Sequence, residues 1–263
     1  MKKAALGMLL CLSLSVLAFS AGFSVKFTGC AQYLLGGGYN RTIQGINDLY
    51  RGTPGTSVSS ELENLSLGWS VGEELIYNFT DRLAVGLGIG YFAASNTSQV
   101  SMIYGVSSPY PLHIANRFSP SVSAIPVTLD FHYFHPIGDG LRLHFSAGLG
   151  LTYTIFDLET HYTVGYSSTA DKTDLLYGFT PHGVTDFGIQ GSLGVEIGLG
   201  SGMSLCLDIL GRMVKAAGFE GPVKIRDYVG GKPANRGSYT PQFPVPSIDL
   251  GGVGVMAGIR IHH

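Results

Sequence analysis

The sequence predicts an all-β fold, an eight-stranded antiparallel transmembrane up-and-down β-barrel, and three observations carry that prediction. Eight runs alternate large apolar residues with polar or very small ones. The links between the runs alternate long, short, long, short, long, short, long. Charge is scarce: 13% of the 263 residues are charged and 45% hydrophobic, with 38 glycines, where an ordinary soluble domain carries about 25% charged residues.

The clearest pair of runs spans 124–156. Ile125, Val127, Leu129, Phe131 and Tyr133 alternate with Thr128, Asp130 and His132. After the turn at 136–140, Leu141, Leu143, Phe145, Ala147, Leu149, Leu151 and Tyr153 alternate with Arg142, His144, Ser146, Gly148, Gly150 and Thr152. Successive strand side chains point to opposite faces, so each run has one continuous apolar face. A tilted strand of roughly 10 residues crosses a bilayer, and these runs are long enough.

The first run covers 22–35, with Phe23, Val25, Phe27, Tyr33 and Leu35 opposite Ser24, Lys26, Thr28, Cys30 and Gln32. Segment 36–63 is rich in Gly, Asn, Ser and Thr and reads as loop. The second run, 64–79, puts Leu65, Leu67, Trp69, Val71, Leu75 and Tyr77 on its apolar face, which Glu73 interrupts. A bulge or a place near the membrane interface would each explain Glu73. The third run ends near 93 and carries Gly86, Gly88 and Gly90 on its small face. Segment 94–120 reads as a second long loop and 157–183 as a third. The sixth run (187–199) and the seventh (205–213) are joined by a short link at 200–202. The fourth long loop, 215–246, holds Pro222, Pro233, Pro241, Pro244 and Pro246. The eighth run covers 249–263.

The N-terminus reads as a secretory signal peptide over 1–20: Lys2 and Lys3, an apolar core, then the small-x-small site at 18–20. Beyond it no stretch of about 18 uncharged apolar residues follows, so helical spans are not expected. An exported, apolar chain without a spanning helix fits a closed barrel, which satisfies every backbone group inside lipid. Cys11 leaves with the signal. Cys30 and Cys206 lie on polar faces, and their pairing stays open. The net charge of -2 argues against a nucleic-acid partner.

Parity sends Lys26, Arg142, Arg212 and Arg260 into the lumen together with Glu74, Asp130, Glu196 and Asp208, with His132 and His144 in the same layer. Unpaired buried ions are costly, so these charges are expected to pair into a plug. A proton- or metal-responsive site is the sharper alternative. The small residues above this layer fit either strong curvature or a vestibule open at the cell exterior. No metal-ligand spacing is present, and neither metal nor cofactor is expected. Gly68-Trp69-Ser70-Val71-Gly72 matches a nucleophile elbow only in letters, since no helix follows the strand. Lys224, Arg226, Lys232 and Arg236 in the fourth loop are candidate contacts to lipopolysaccharide, or simply solvated loop charges.

The runs paired at 65–91, 125–155 and 187–213, with the closing Ala257-Gly258-Ile259-Arg260-Ile261, make the mature chain resemble the small eight-stranded outer-membrane barrels of the OmpX, OmpW and opacity type. That resemblance implies long extracellular loops, both termini periplasmic, and assembly by the barrel assembly machinery. It also implies a terminal aromatic, where this sequence has His262-His263. His144-Phe145-Ser146 is similar to the His-x-Ser of lipid A deacylase barrels, which makes His144 and Ser146 catalytic candidates. The expectation is a monomeric, non-enzymatic outer-membrane protein of a Gram-negative-type bacterium with a structural or surface-interaction role, contacting membrane lipid and lipopolysaccharide. A narrow porin-like channel and a lipid-modifying enzyme are the alternatives, and a soluble exported β-sandwich is the architectural one.

Overall fold

The computed structural model describes residues 22–166, 173–179, 184–200, 202–219, 223–229, 232–234 and 247–262. Residues 1–20, read above as a signal peptide, and Cys11 among them lie outside the described residues. The strands are β1 (Phe23–Leu34), β2 (Thr56–Ser60), β3 (Leu67–Asn78), β4 (Leu83–Ser95), β5 (Ser98–Tyr104), β6 (Leu112–Gly138) and β7 (Leu141–Tyr166). They continue with β8 (Thr173–Phe179), β9 (Val184–Gly200), β10 (Met203–Ala216), β11 (Val223–Val229), β12 (Lys232–Ala234), β13 (Ile248–Asp249) and β14 (Gly252–His262). One helix, α1 (Gly37–Gly52), follows β1.

Eight of these strands close a ring in the order β1, β3, β4, β6, β7, β9, β10, β14, every neighbour antiparallel. The first and last strands of the chain close it, with Lys26 opposite Arg260 and Tyr33 opposite Val253. Closure leaves no unpaired edge within the ring.

The alternation of the sequence becomes the two faces of this wall. Leu67, Trp69, Val71, Val127, Leu129, Phe131, Leu149, Leu151, Ile189, Leu193, Ile209 and Val255 are all exposed on the outside. Aromatics mark both rims of that band. Phe23, Tyr77 and Phe79 cluster near the short turns, and Trp69 stacks at a tilt on Tyr91 at the other end. Trp69 and Tyr77 are eight residues apart on β3, roughly 20 Å once strand tilt is allowed for. No helix among the described residues is long and apolar enough to cross a membrane; the crossing elements are strands.

All four segments read as loop contain regular structure. Segment 36–63 holds the 16-residue helix α1 and strand β2. Segments 94–120 and 157–183 hold β5, β8 and long extensions of β6 and β7. Segment 215–246 holds β11 and β12. Beyond the ring the β6–β7 hairpin stays paired from Leu112 opposite Tyr166 to Pro120 opposite Leu158. It is flanked by β5 and β2 on one side and by β8, β11 and β12 on the other. Water reaches both faces of such an extension, so its sequence has no need to alternate, and the period that marks a lipid-facing strand is missing.

The outward band makes a direct prediction. Leu129→Arg places a guanidinium in the middle of it and should destabilise the barrel by about 2–4 kcal/mol, the cost of a lipid-facing charge near the midplane. Urea titration of the protein in lipid vesicles reads this; a change below about 0.5 kcal/mol, as on an ordinary water-facing surface, would put that face in water.

Candidate functional site

The lumen is filled in layers. At the short-turn end, Glu196 accepts hydrogen bonds from Arg142 Nη2 at 2.5 Å and Arg260 Nη1 at 3.3 Å, and lies 3.1 Å from His262 Nε2. Arg260 is only 1% exposed. Its remaining donors reach Ser24 Oγ at 2.8 Å and Asn78 Oδ1 at 2.6 Å. Both guanidinium groups lie over the Phe134 ring, 4.5 Å away for Arg260 and 4.9 Å for Arg142. Charged groups this deep are satisfied by several partners at once, which offsets their desolvation.

The middle layer is one continuous chain. Lys26 Nζ donates to Asp208 Oδ2 at 2.8 Å, and Asp208 Oδ1 meets His144 Nδ1 at 2.8 Å. His144 Nε2 meets His132 Nδ1 at 2.9 Å, and His132 Nε2 meets Glu74 Oε1 at 2.7 Å. The imidazole centroids are 5.2 Å apart with planes 15° from parallel. That separation with that short N···N contact means the rings meet edge to edge in nearly one plane, the geometry of a hydrogen bond rather than of stacked faces.

The third layer joins Asp130 to Thr128 Oγ1 at 2.6 Å and to Gln190 Nε2 at 2.9 Å, and Gln190 Oε1 to Arg212 Nη2 at 3.1 Å. All ten residues assigned to the lumen by parity are thus inside it and connected. Gln190, Thr128, Ser24, Asn78 and His262 complete the network and were not singled out, although all are polar residues in inward register.

Glycines opposite the acids make this packing possible. A Cβ on Gly86 would overlap the Glu74 carboxylate and stand 2.7 Å from His132 Nε2. One on Gly148 would overlap Asp130, and one on Gly194 would overlap Asp208. Curvature alone is therefore not the reason for these glycines; each leaves room for a carboxylate.

Beside the middle and third layers is a chamber of about 90 Å³, lined by Lys26, Glu74, Asp130, His132, His144, Gln190 and Arg212 with the smaller Thr28, Ser70, Gly88 and Ser146, among others. A vestibule open at the end away from the short turns is not what the structure builds. Beyond the chamber an apolar cluster fills the mouth, made of Leu34, Leu65, Phe92, Val122, Phe156, Val214 and Leu250 from the strands and Tyr39 and Ile43 from α1. The helix turns into the mouth at Gly36 (φ 69°) and Gly37 (φ 49°), left-handed conformations suited to glycine. Two asparagines one heptad apart, on one helix face, tie it down. Asn40 exchanges two hydrogen bonds with the Leu65 backbone at 2.9 and 3.2 Å, and Asn47 exchanges two with Leu62, both at 2.9 Å. Each side-chain amide takes the place of a neighbouring strand's peptide. Burial pushes the Tyr39 phenol up from its ordinary range. Outside the mouth, a hydrogen bond from Arg51 lowers the Glu61 carboxyl; this exposed pair adds little stability.

The other sequence candidates fall elsewhere. Ser146 Oγ pairs with Ser192 Oγ at 2.7 Å. Both ring nitrogens of His144 are engaged by Asp208 and His132, so His144 and Ser146 share a face without forming a hydrogen-bonded pair. Cys30 and Cys206 are buried free thiols. Glu73 lies opposite Phe27 and Ile89 in ladders with no register shift. It is neither at a bulge nor at a rim, and both its carboxylate oxygens are buried without a hydrogen-bond partner. Lys224 and Arg226 lie on β11 and Lys232 on β12; Arg236 lies outside the described residues. No group of three or more metal-ligating side chains is assembled among the described residues.

A closed ring of eight antiparallel strands with an apolar exterior and a paired ionic interior has the architecture of a transmembrane β-barrel. No known family matches the chain by sequence, and no curated protein matches it. Among solved structures it is similar to Neisserial surface protein A (13% identity, 92% of this chain and 98% of that one, TM-score 0.36). It is also similar to the outer membrane protein OprG from Pseudomonas aeruginosa (16% identity, 92% and 97%, TM-score 0.37). A third is the outer membrane protein AlkL (14% identity, 92% and 90%, TM-score 0.30).

Arg260→Ala removes a guanidinium shared by Glu196, Ser24 and Asn78 and should destabilise the barrel by about 3–5 kcal/mol, as for breaking a buried ion pair. Gly148→Ala, which adds one methyl group, should also lower the urea midpoint. An unchanged midpoint for both would mean that the layers do not carry stability.

Proposed function

We propose that this chain is a closed, non-enzymatic outer-membrane barrel whose role is structural or surface-interacting, with the α1 end and its sheet facing outside the cell. The observation that supports this best is the double seal. Three ionic layers fill the short-turn half of the lumen, and a helix held by four side-chain-to-backbone hydrogen bonds caps the other end. The space left beside the ionic layers is a chamber of about 90 Å³, room for a few waters, each taking about 30 Å³. A conducting pore needs a continuous aqueous path, and an eight-stranded barrel has little width to spare for one.

The parts that stand clear of the barrel are the extended β6–β7 hairpin and its flanking strands, a broad surface available to lipopolysaccharide or to a partner. Both chain ends of the barrel lie at the short-turn side, which suits a periplasmic position.

Purified protein in planar bilayers should give no reproducible single-channel steps at neutral pH. Regular conductance steps would overturn the closed reading in favour of a narrow channel. Lipid A from cells expressing the protein should be unmodified; a modified lipid A lost on Ser146→Ala would make the protein an enzyme instead.

A further inference from the structure

We infer that the His132–His144 pair is a binding site for one proton beyond the neutral state, held as a structural ligand at the centre of the barrel. This deepens the closed-barrel reading, since it concerns the middle layer of the same seal.

The inference follows from counting hydrogens along the chain Glu74–His132–His144–Asp208. Three contacts link these four side chains, at 2.7, 2.9 and 2.8 Å. Each needs one proton between its two heavy atoms. Ionised carboxylates only accept, so all three protons belong to the imidazoles. Two neutral imidazoles carry two N–H groups in total, and the pair needs three. With only two, one contact would set a nitrogen lone pair against a carboxylate or against the other ring. With four, two N–H groups would face each other across 2.9 Å. One ring is therefore cationic and the other neutral, and the N···N proton is shared between them.

The charges facing the pair agree. Lys26 from β1, Glu74 from β3 and Asp208 from β10 sum to one negative charge, which the added proton neutralises. Asp130 from β6 is matched in the layer above by Arg212. Below, Glu196 from β9 faces Arg142 from β7 and Arg260 from β14, and the surplus positive charge of that layer falls to Arg142, whose side chain is 29% exposed. The Cys206 thiol, two residues before Asp208, is the remaining titratable neighbour. Phe134 covers the pair on that side, with its ring 5.0 Å from His144 and 14° from parallel.

Asp208→Asn tests the count with almost no change of shape. The amide would donate to His144 Nδ1 and its oxygen would accept from Lys26, so all three contacts survive with only two imidazole N–H groups. Selectively ¹⁵N-histidine-labelled protein in lipid bilayers, with His132 and His144 assigned through single His→Gln variants, reports ring protonation by NMR. At pH 7 the pair should show three ring N–H groups in the native protein and two in the Asp208→Asn variant. Two in the native protein, or three retained in the variant, would overturn the inference; should the variant fail to fold, the native count decides alone. Conductance recorded at the same pH separates the two readings. A silent barrel with two N–H groups defeats only the proton site, and a conducting barrel with three defeats only the closed lumen.

Discussion

Space inside an eight-stranded ring is the constraint on which the rest of this structure depends. The ring encloses only enough room for side chains, so each inward group has to be fitted around its neighbours. For three of the inward carboxylates the chain makes room with a missing side chain on the adjacent strand. Glu74 occupies the volume left by Gly86, Asp130 that left by Gly148, and Asp208 that left by Gly194. A glycine in a strand interior normally weakens it. Here that weakness is offset by charge-assisted hydrogen bonds, which could not form with a methyl group in the way.

The two seals rest on different physics. The ionic layers have little apolar area and gain from geometry: Arg260 and Glu196 each satisfy several partners, and the imidazole pair does so in a chain. The cap has almost no charge and gains from burial of Tyr39, Ile43, Phe92, Phe156 and their neighbours. The helix contributes Asn40 and Asn47, which satisfy peptide groups of 62–65 where the chain passes the mouth without forming a strand, and Gln32 of β1 donates to the Leu250 carbonyl. These three amide side chains thus stand in the apolar cap where backbone would otherwise be orphaned.

Period two made the barrel legible. Alternation located all eight ring strands and sorted the ten charged and histidine residues to the inside, because a one-residue error of phase would have put arginine in lipid. What it could not reach is the part of the chain outside lipid. The helix did leave a trace: Tyr39, Ile43, Ile46 and Tyr50 recur at helical spacing. Four glycines and two asparagines among sixteen residues hid it, since those residues are poor helix formers. Asn40 and Asn47 looked like loop composition because their role depends on peptides 15 and 25 residues further along. The pairing pattern inside the lumen was also invisible. Parity says which residues enter the barrel, but not that His144 would meet His132 and Asp208 rather than Ser146.

That unseen pairing carries information the alternation lacks. A slip of one residue between two ring strands turns every side chain to the wrong face and is excluded by the outer band alone. A slip of two residues keeps every face correct and costs the apolar exterior almost nothing. It would, however, break the cross-lumen contacts, because Lys26 meets Asp208 and Arg260 meets Asn78 across 182 positions of sequence, and His132 meets Glu74 across 58. Together with His144–Asp208 and Arg260–Glu196, these contacts tie β1, β3, β6, β7, β9, β10 and β14 to one another at fixed heights. Each mismatched register would leave at least one buried ion alone, a penalty of several kcal/mol in an apolar setting. The ionic layers therefore do more than close the lumen: they select one barrel among the several that a pattern of alternating residues would allow.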